Sequence, residues 1–216
     1  MGVIRQGILG GFSGKVVTVV GSYWNGVWYM RALPQSHGAH TMMLLETEQQ
    51  CRFAVVSEFL LPLLPVIREG FKNYGIRRMS AYNAAMSHAL KNAVTGDYPE
   101  YRIDYSKVLL AKGPLATAAE AAVGLEEGSI HVNWADNSSV SGCEAGDQAW
   151  LILLNRAKRC YITDTAHTRQ SGNVTCAVPS DWFGDTVQAF LFFRSADGKK
   201  RSNSVFVGET NLPETH

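Results

Sequence analysis

The 216-residue sequence lacks the cysteine patterns that hold metals or build disulfide scaffolds. Its cysteines are few, and they form no CxxC pair and no cluster with histidine at zinc spacing. Because nothing else in the sequence indicates export, we expect free thiols rather than disulfides. The sequence therefore predicts no metal site and no cofactor. The four cysteines are Cys51, Cys143, Cys160 and Cys176.

An excess of one charge and a long apolar run are missing as well. Twenty basic and 19 acidic residues give a net charge of +1, so no global field attracts the chain to nucleic acid or to a membrane surface. The apolar stretch 59–67 is too short to span a membrane and contains Pro62 and Pro65. Because Gly10, Gly11 and Ser13 interrupt the apolar N-terminus, we expect no export signal, no membrane partner and a cytoplasmic location.

Catalytic motifs are also missing. The glycine-rich segment 10–14 resembles a nucleophile turn, but Lys15 stands where that motif needs glycine, and no Ser or Thr follows Lys15 to complete a phosphate-binding loop. His131, Asp136 and Cys143 are close in sequence, yet nothing around them indicates an activated thiolate. We therefore expect a non-enzymatic protein with no catalytic residue.

What the sequence does contain, near its start, is an aromatic β-hairpin over 15–31. Val16–Val20 is a β-branched run, and Val27–Met30 is β-branched and aromatic. The segment Gly21–Gly26 reads as the turn, since its final Asn-Gly is a strong hairpin signal.

The aromatics of this hairpin are the candidate partner-binding residues. Alternate residues of a strand face opposite sides, so Trp28 and Met30 share one face, while Val27, Tyr29 and Arg31 share the other. Either both faces are packed inside the protein, which we favour, or one face is an exposed partner-binding surface. The candidate residues are Tyr23, Trp24, Trp28, Tyr29 and Arg31.

Helical patterns follow within about 41–95. Phe53, Val56 and Leu60 recur on one helical face. A short helix is predicted over 66–74, and Ser80 is a suitable N-cap for a third helix over 81–94. A strand is expected near 101–110, which completes a predicted N-terminal α+β region of residues 1–112.

The remainder of the chain reads as β-structure. Short β-type runs separated by turns are typical of a sandwich. This half resembles a fibronectin type III or immunoglobulin-like module, with strand A near Leu115, a core tryptophan, Trp134, on strand B, and Trp150 on strand C. The fold prediction is thus α+β: an N-terminal hairpin plus helices, then an all-β immunoglobulin- or fibronectin III-like sandwich over 113–208 and a tail over 209–216.

Basic residues cluster around the second and third predicted helices. Arg77 and Arg78 lead this cluster, which could bind phosphates while neighbouring tyrosines stack on bases. Glutamates lie nearby and the region is not strongly basic, so a solvated helical face is the favoured interpretation. Nucleic-acid association through Arg77 and Arg78 remains a weaker alternative.

The opening Gly7–Val16 (GILGGFSGKV), followed by Val19–Gly26 (VVGSYWNG) and Met30-Arg31, resembles a bacterial family known only as a domain of unknown function. Similar motifs recur at 80–83, 91–96, 103–108 and 195–205. Because the family has no established activity, the resemblance implies no functional residue. We expect a structural or interaction protein with a protein partner or self-association, by analogy a component of a phage-like or surface assembly. A carbohydrate- or peptide-binding module using exposed aromatics is the alternative.

Overall fold

The computed structural model describes residues 3–4, 11–24, 26–33, 44–72, 79–126 and 128–213. The chain divides into two compact units, Met1–Leu44 and Leu45–His216. The sequence instead suggests a boundary after residue 112. The difference arises from the helices, which share a core with the β-structure that follows them.

The first unit contains a four-stranded antiparallel sheet in the order β1-β2-β3-β4. The strands are β1 (Val3–Ile4), β2 (Phe12–Val16), β3 (Val19–Trp24) and β4 (Val27–Ala32). The β3–β4 connection falls at residues 25–26, as the sequence predicts, and Gly26 has a φ of 85°. Asn25 itself lies outside the described residues.

The predicted hairpin of two strands is part of a larger sheet, because a turn divides the Val16–Val20 run between two strands, β2 and β3. Val16 pairs with Val19 across a tight turn at Val17 and Thr18, and Val17 has a φ of 48°. Gly21 is therefore a strand residue rather than the beginning of a turn. β-Branched residues favour strands and disfavour positive φ, so the sequence gives no local signal for a turn at Val17.

Three helices open the second unit: α1 (Leu44–Leu60), α2 (Leu64–Gly70) and α3 (Ala81–Asn92). Ser80 caps α3 as expected, since its hydroxyl accepts a hydrogen bond from the Asn83 amide at 3.1 Å. Within the described residues no single helix is long and apolar enough to cross a membrane, and only the pair α1 and α2 together, bent by 87°, passes by length and composition.

Two sheets form a β-sandwich behind the helices. The four-stranded sheet has the order β10-β9-β12-β13 and the three-stranded sheet has the order β11-β8-β7. Their strands are β7 (Ala119–Glu126), β8 (Ser129–Ala135), β9 (Gln148–Asn155), β10 (Cys160–Asp164), β11 (Asn173–Ala177), β12 (Thr186–Arg194) and β13 (Val205–Asn211). A short pair, β5 (Val94–Thr95) and β6 (Arg102–Ile103), follows α3.

The central strands of the four-stranded sheet, β9 and β12, are buried on both faces. Ile152, Leu154, Phe190 and Phe192 belong to the core formed with α1, α2 and α3. The alternate residues of the same strands, including Leu153, belong to the core formed with the three-stranded sheet. This two-sided burial explains why β9 and β12 are continuous apolar runs, a pattern that marks strands covered on both faces.

Three segments differ from the sequence expectations. The first sandwich strand is β7, whose alanines and glycine have low β-propensity, whereas Leu115 makes only an isolated bridge to Ser202. Residues 101–110 contain only the two-residue β6 and a 3₁₀ turn at Tyr105–Lys107. The predicted tail is partly structured, since β13 runs to Asn211 and Leu212 is buried.

Candidate interaction surface

The β3–β4 hairpin places the candidate aromatics on both faces of the first unit's sheet. Tyr23 lies opposite Trp28 and Gly21 lies opposite Met30, so these four positions share one face. Ser22 lies opposite Tyr29 and Val20 opposite Arg31, which places them on the other face with Trp24 and Val27.

On the first face, aromatic rings contact each other and pack against the backbone of glycine residues. The Tyr23 and Trp28 rings lie 4.8 Å apart between centroids, tilted by 50°. The Phe12 ring covers Gly21, because a Cβ added at Gly21 would lie 2.6 Å from Phe12 Cδ2. The Trp28 ring covers Gly11 in the same way, at 2.2 Å from an added Cβ to Cγ. The glycines therefore provide the space in which two rings lie against the backbone. The role of Phe12 could not be predicted from the sequence, because Gly21 resembles a turn residue there and is a strand residue in the structure.

The second face presents two aromatics and a cation to solvent. Trp24 is 47% exposed and Tyr29 is 44% exposed, and Arg31 is also exposed. Tyr23, Trp28 and Met30 of the first face are exposed as well. The hairpin aromatics are therefore not enclosed by the described residues of the first unit.

Strand β4 forms one edge of the described sheet, and every one of its six residues is exposed. The Leu33 amide donates to the Thr18 carbonyl at 2.8 Å, which identifies the 18–33 pair as hydrogen-bonded. Because hydrogen-bonded and non-hydrogen-bonded pairs alternate along an antiparallel ladder, the backbone groups of Trp28, Met30 and Ala32 point away from β3. An edge of this kind is a template for pairing with another strand.

His131 contacts neither of the two residues considered with it from the sequence. It lies on the outer face of the three-stranded sheet, where its Nδ1 is 2.7 Å from Thr175 Oγ1 and its Nε2 is 3.7 Å from a carboxylate oxygen of Glu126. The second distance is too long for a hydrogen bond. These residues form a polar cross-strand cluster on an open face, and Asp136 bonds the Ser138 amide instead.

The basic alternative is not tested by the structure, because Arg77 and Arg78 lie outside the described residues. Among the residues that are described, no group of three histidine, cysteine or acidic side chains could hold a metal ion. A pocket of about 230 Å³ lies between α1 and the β9–β10 turn, and its lining includes Val55, Phe59 and Leu154.

A buried ionic network at one end of the sandwich was not visible in the sequence. Arg169 is fully buried, and its Nε donates to Asp147 at 3.1 Å. Its other nitrogens donate to the side chain of Asn137 and to the Ala116 carbonyl. The network joins loops that are distant in sequence, so no local pattern could have predicted it. The side chains of Arg169 and Asp147 in this network are removed from solvent.

A family model described as "Family of unknown function (DUF6266)" matches residues 11–208. The match covers most of the chain, including the aromatic hairpin, the helices and nearly all of the sandwich. No curated protein matches the chain.

Proposed function

Because the chain belongs to the DUF6266 family, whose function is unknown, we propose from its surface that it is a structural protein that self-associates through the N-terminal sheet β1–β4. Contacts between the N-terminal sheets of neighbouring copies would link the sandwich-containing units of those copies. A phage-like or surface assembly is the setting in which we propose that it acts.

One observation carries this proposal: β4 is an edge strand whose aromatic and apolar side chains are exposed on both faces. Trp28, Tyr29 and Met30 are consecutive and are 38%, 44% and 70% exposed. Exposed aromatic and methionine side chains are characteristic of interface cores, where charged residues are depleted. This six-residue edge contains one charged residue, Arg31, and no proline or acidic residue, so it has few of the features that usually prevent edge-to-edge pairing.

For the sandwich we propose a fibronectin type III-like arrangement. Seven strands divide into sheets of three and four, and Trp134 packs in the core between them, 5.9 Å from the Phe193 ring centroid. Domains of this architecture are common in extended and cell-surface assemblies. The fold itself implies no particular activity. Its support for the structural role is limited to providing a rigid domain.

Light scattering after size-exclusion chromatography tests the proposed function. We expect the wild-type chain to form a dimer or larger species whose fraction rises with concentration. The double variant Trp24→Ser/Tyr29→Ser removes two exposed rings and should elute as a monomer. Phe53→Ser is the matched control, since Phe53 is equally exposed, at 50%, but lies on α1.

A monomeric wild-type chain at every concentration would contradict self-association. An undiminished oligomer in the double variant would locate self-association outside the hairpin. Circular dichroism on each variant verifies that the sheets and helices are retained.

A second candidate function is carbohydrate or peptide binding by the same aromatics. Its support is that Trp24 and Trp28 project from opposite faces of one hairpin and are both exposed. Tryptophan fluorescence titrations with glycans and peptides, compared between wild type, Trp24→Ala and Trp28→Ala, test this function. If a ligand binds both variants as tightly as wild type, the aromatic-platform idea is wrong.

A further inference from the structure

We infer that the β4 strands of two copies pair antiparallel about a two-fold axis at Met30, forming one continuous sheet. This inference rests on the proposed function and names its partner as a second copy of this chain.

The backbone selects the registers that are possible. The outward-pointing groups of β4 belong to Trp28, Met30 and Ala32, as the Leu33–Thr18 hydrogen bond and the β3–β4 register require. A two-fold axis at Met30 pairs Met30 with itself and Trp28 with Ala32 of the other copy. All the outward groups are then used, in roughly six backbone hydrogen bonds.

Neighbouring registers satisfy fewer groups or bring like charges together. An axis at Tyr29 pairs Trp28 with Met30 and leaves the outward groups of Ala32 opposite Gly26, in the hairpin turn. An axis at Arg31 places the two Arg31 side chains directly opposite each other, which is destabilising. The register centred on Met30 avoids both problems.

The side chains of the Met30 register are complementary. Directly opposed residues share a face, so Arg31 of each copy lies opposite Tyr29 of the other. A guanidinium near an aromatic ring is attracted by the ring face. On the opposite face, the exposed Met30 side chains meet each other beside Trp28, and thioethers pack well against aromatic rings. Both faces therefore bury side chains that are exposed in one copy.

Cysteine crosslinking of the full-length chain measures this register. In a hydrogen-bonded antiparallel pair the Cα atoms are about 5.5 Å apart, within the range that a disulfide spans. We expect Met30→Cys to give a covalent dimer under mild oxidation, reversed by reductant, with a 30–30 link identified by mass spectrometry. The wild-type chain, which retains its four native cysteines, is oxidised in parallel to measure their contribution.

Two matched variants on the same strand provide the control. In the Met30 register the copies of residue 29 lie diagonally, at about 7–8 Å, and so do the copies of residue 31. Tyr29→Cys and Arg31→Cys should therefore each crosslink poorly alone. An equimolar mixture of the two should crosslink as a heterodimer, because residue 29 of one copy lies opposite residue 31 of the other.

The outcomes separate this inference from the proposed function. Tyr29→Cys crosslinking most strongly alone would indicate an axis at Tyr29 and overturn the inference. So would the absence of any Met30→Cys crosslink in a chain that light scattering shows to be oligomeric, although the proposed function would then stand. A monomeric wild-type chain without any crosslink would overturn both.

Discussion

The guanidinium of Arg169 lies over the ring of Phe193, with Cζ 3.9 Å from the ring centroid, in the fully buried end of the sandwich. The same guanidinium donates to Asp147, which is 1% exposed. The Trp134 indole nitrogen donates to the Arg169 carbonyl at 2.8 Å. Arg169 therefore connects the two sheets and the loops at their end through its ring contact, its ion pair and its backbone.

Replacing Arg169 by leucine is expected to destabilise the chain strongly. The substitution leaves the Asp147 carboxylate buried without its partner, which typically costs about 3–5 kcal/mol. Urea unfolding followed by circular dichroism measures the change in the free energy of unfolding. Arg159→Leu is the control, since the Arg159–Glu58 pair is exposed and such pairs contribute about 0–1 kcal/mol. Equal effects of the two substitutions would refute the role assigned to Arg169.

The contact between the helices and the sandwich is tested by Phe190→Ala. Phe190 is fully buried on the helix-facing side of β12, where it meets Phe206 at 5.4 Å between ring centroids. Truncating a buried phenylalanine costs about 3–5 kcal/mol. Phe53→Ala removes a half-exposed ring from α1 and should change the free energy of unfolding by less than about 0.5 kcal/mol. If the helices formed a separate domain, Phe190→Ala would have the small effect instead.

The stability of the second unit is expected to fall in mild acid because of His88. Burial and the neighbouring Lys112 hold the pKa of His88 below its ordinary value, and its Nδ1 is buried without a hydrogen-bond partner. The unfolded chain therefore binds this proton more readily than the folded chain. The stabilising contribution is complete above the unfolded pKa of about 6.5 and is lost as the pH falls through the folded pKa.

His88→Gln removes the titration and isolates this effect. Urea unfolding of wild type and His88→Gln from pH 8 to pH 5 should show a steeper loss of stability in wild type below about pH 6.5. His131→Gln is the matched control on the open sheet face. Parallel pH profiles for wild type and His88→Gln would exclude His88 as the cause.

Much of the fold could be predicted from local sequence signals. The Ser80 cap was located correctly, because a capping residue acts on its own neighbours. The Phe53, Val56 and Leu60 face was predicted only in part. Val56 and Leu60 are fully buried, whereas Phe53 is half-exposed, since the burial of a helical face depends on what packs against it.

For the candidate surface, too, the sequence predicted which residues share a face but not which residues are buried. The alternation of Trp28, Tyr29, Met30 and Arg31 on opposite faces follows from strand geometry and was available from the sequence. Whether these side chains were buried could not be inferred, because aromatic residues are suited to cores and to interfaces alike.

The sequence by itself determined most of the secondary-structure elements: the aromatic hairpin, the helices and most of the sandwich strands. It also showed that recognised catalytic motifs are missing from it. Only the tertiary structure decided that the helices share a core with β9 and β12, that Arg169 is buried with Asp147, and that β4 forms an edge of the described sheet. The physical reason is the sequence separation of the residues that interact. Caps, turns and periodicity are set by residues a few positions apart, whereas burial, ion pairing and the free edge of a sheet depend on which distant segments meet.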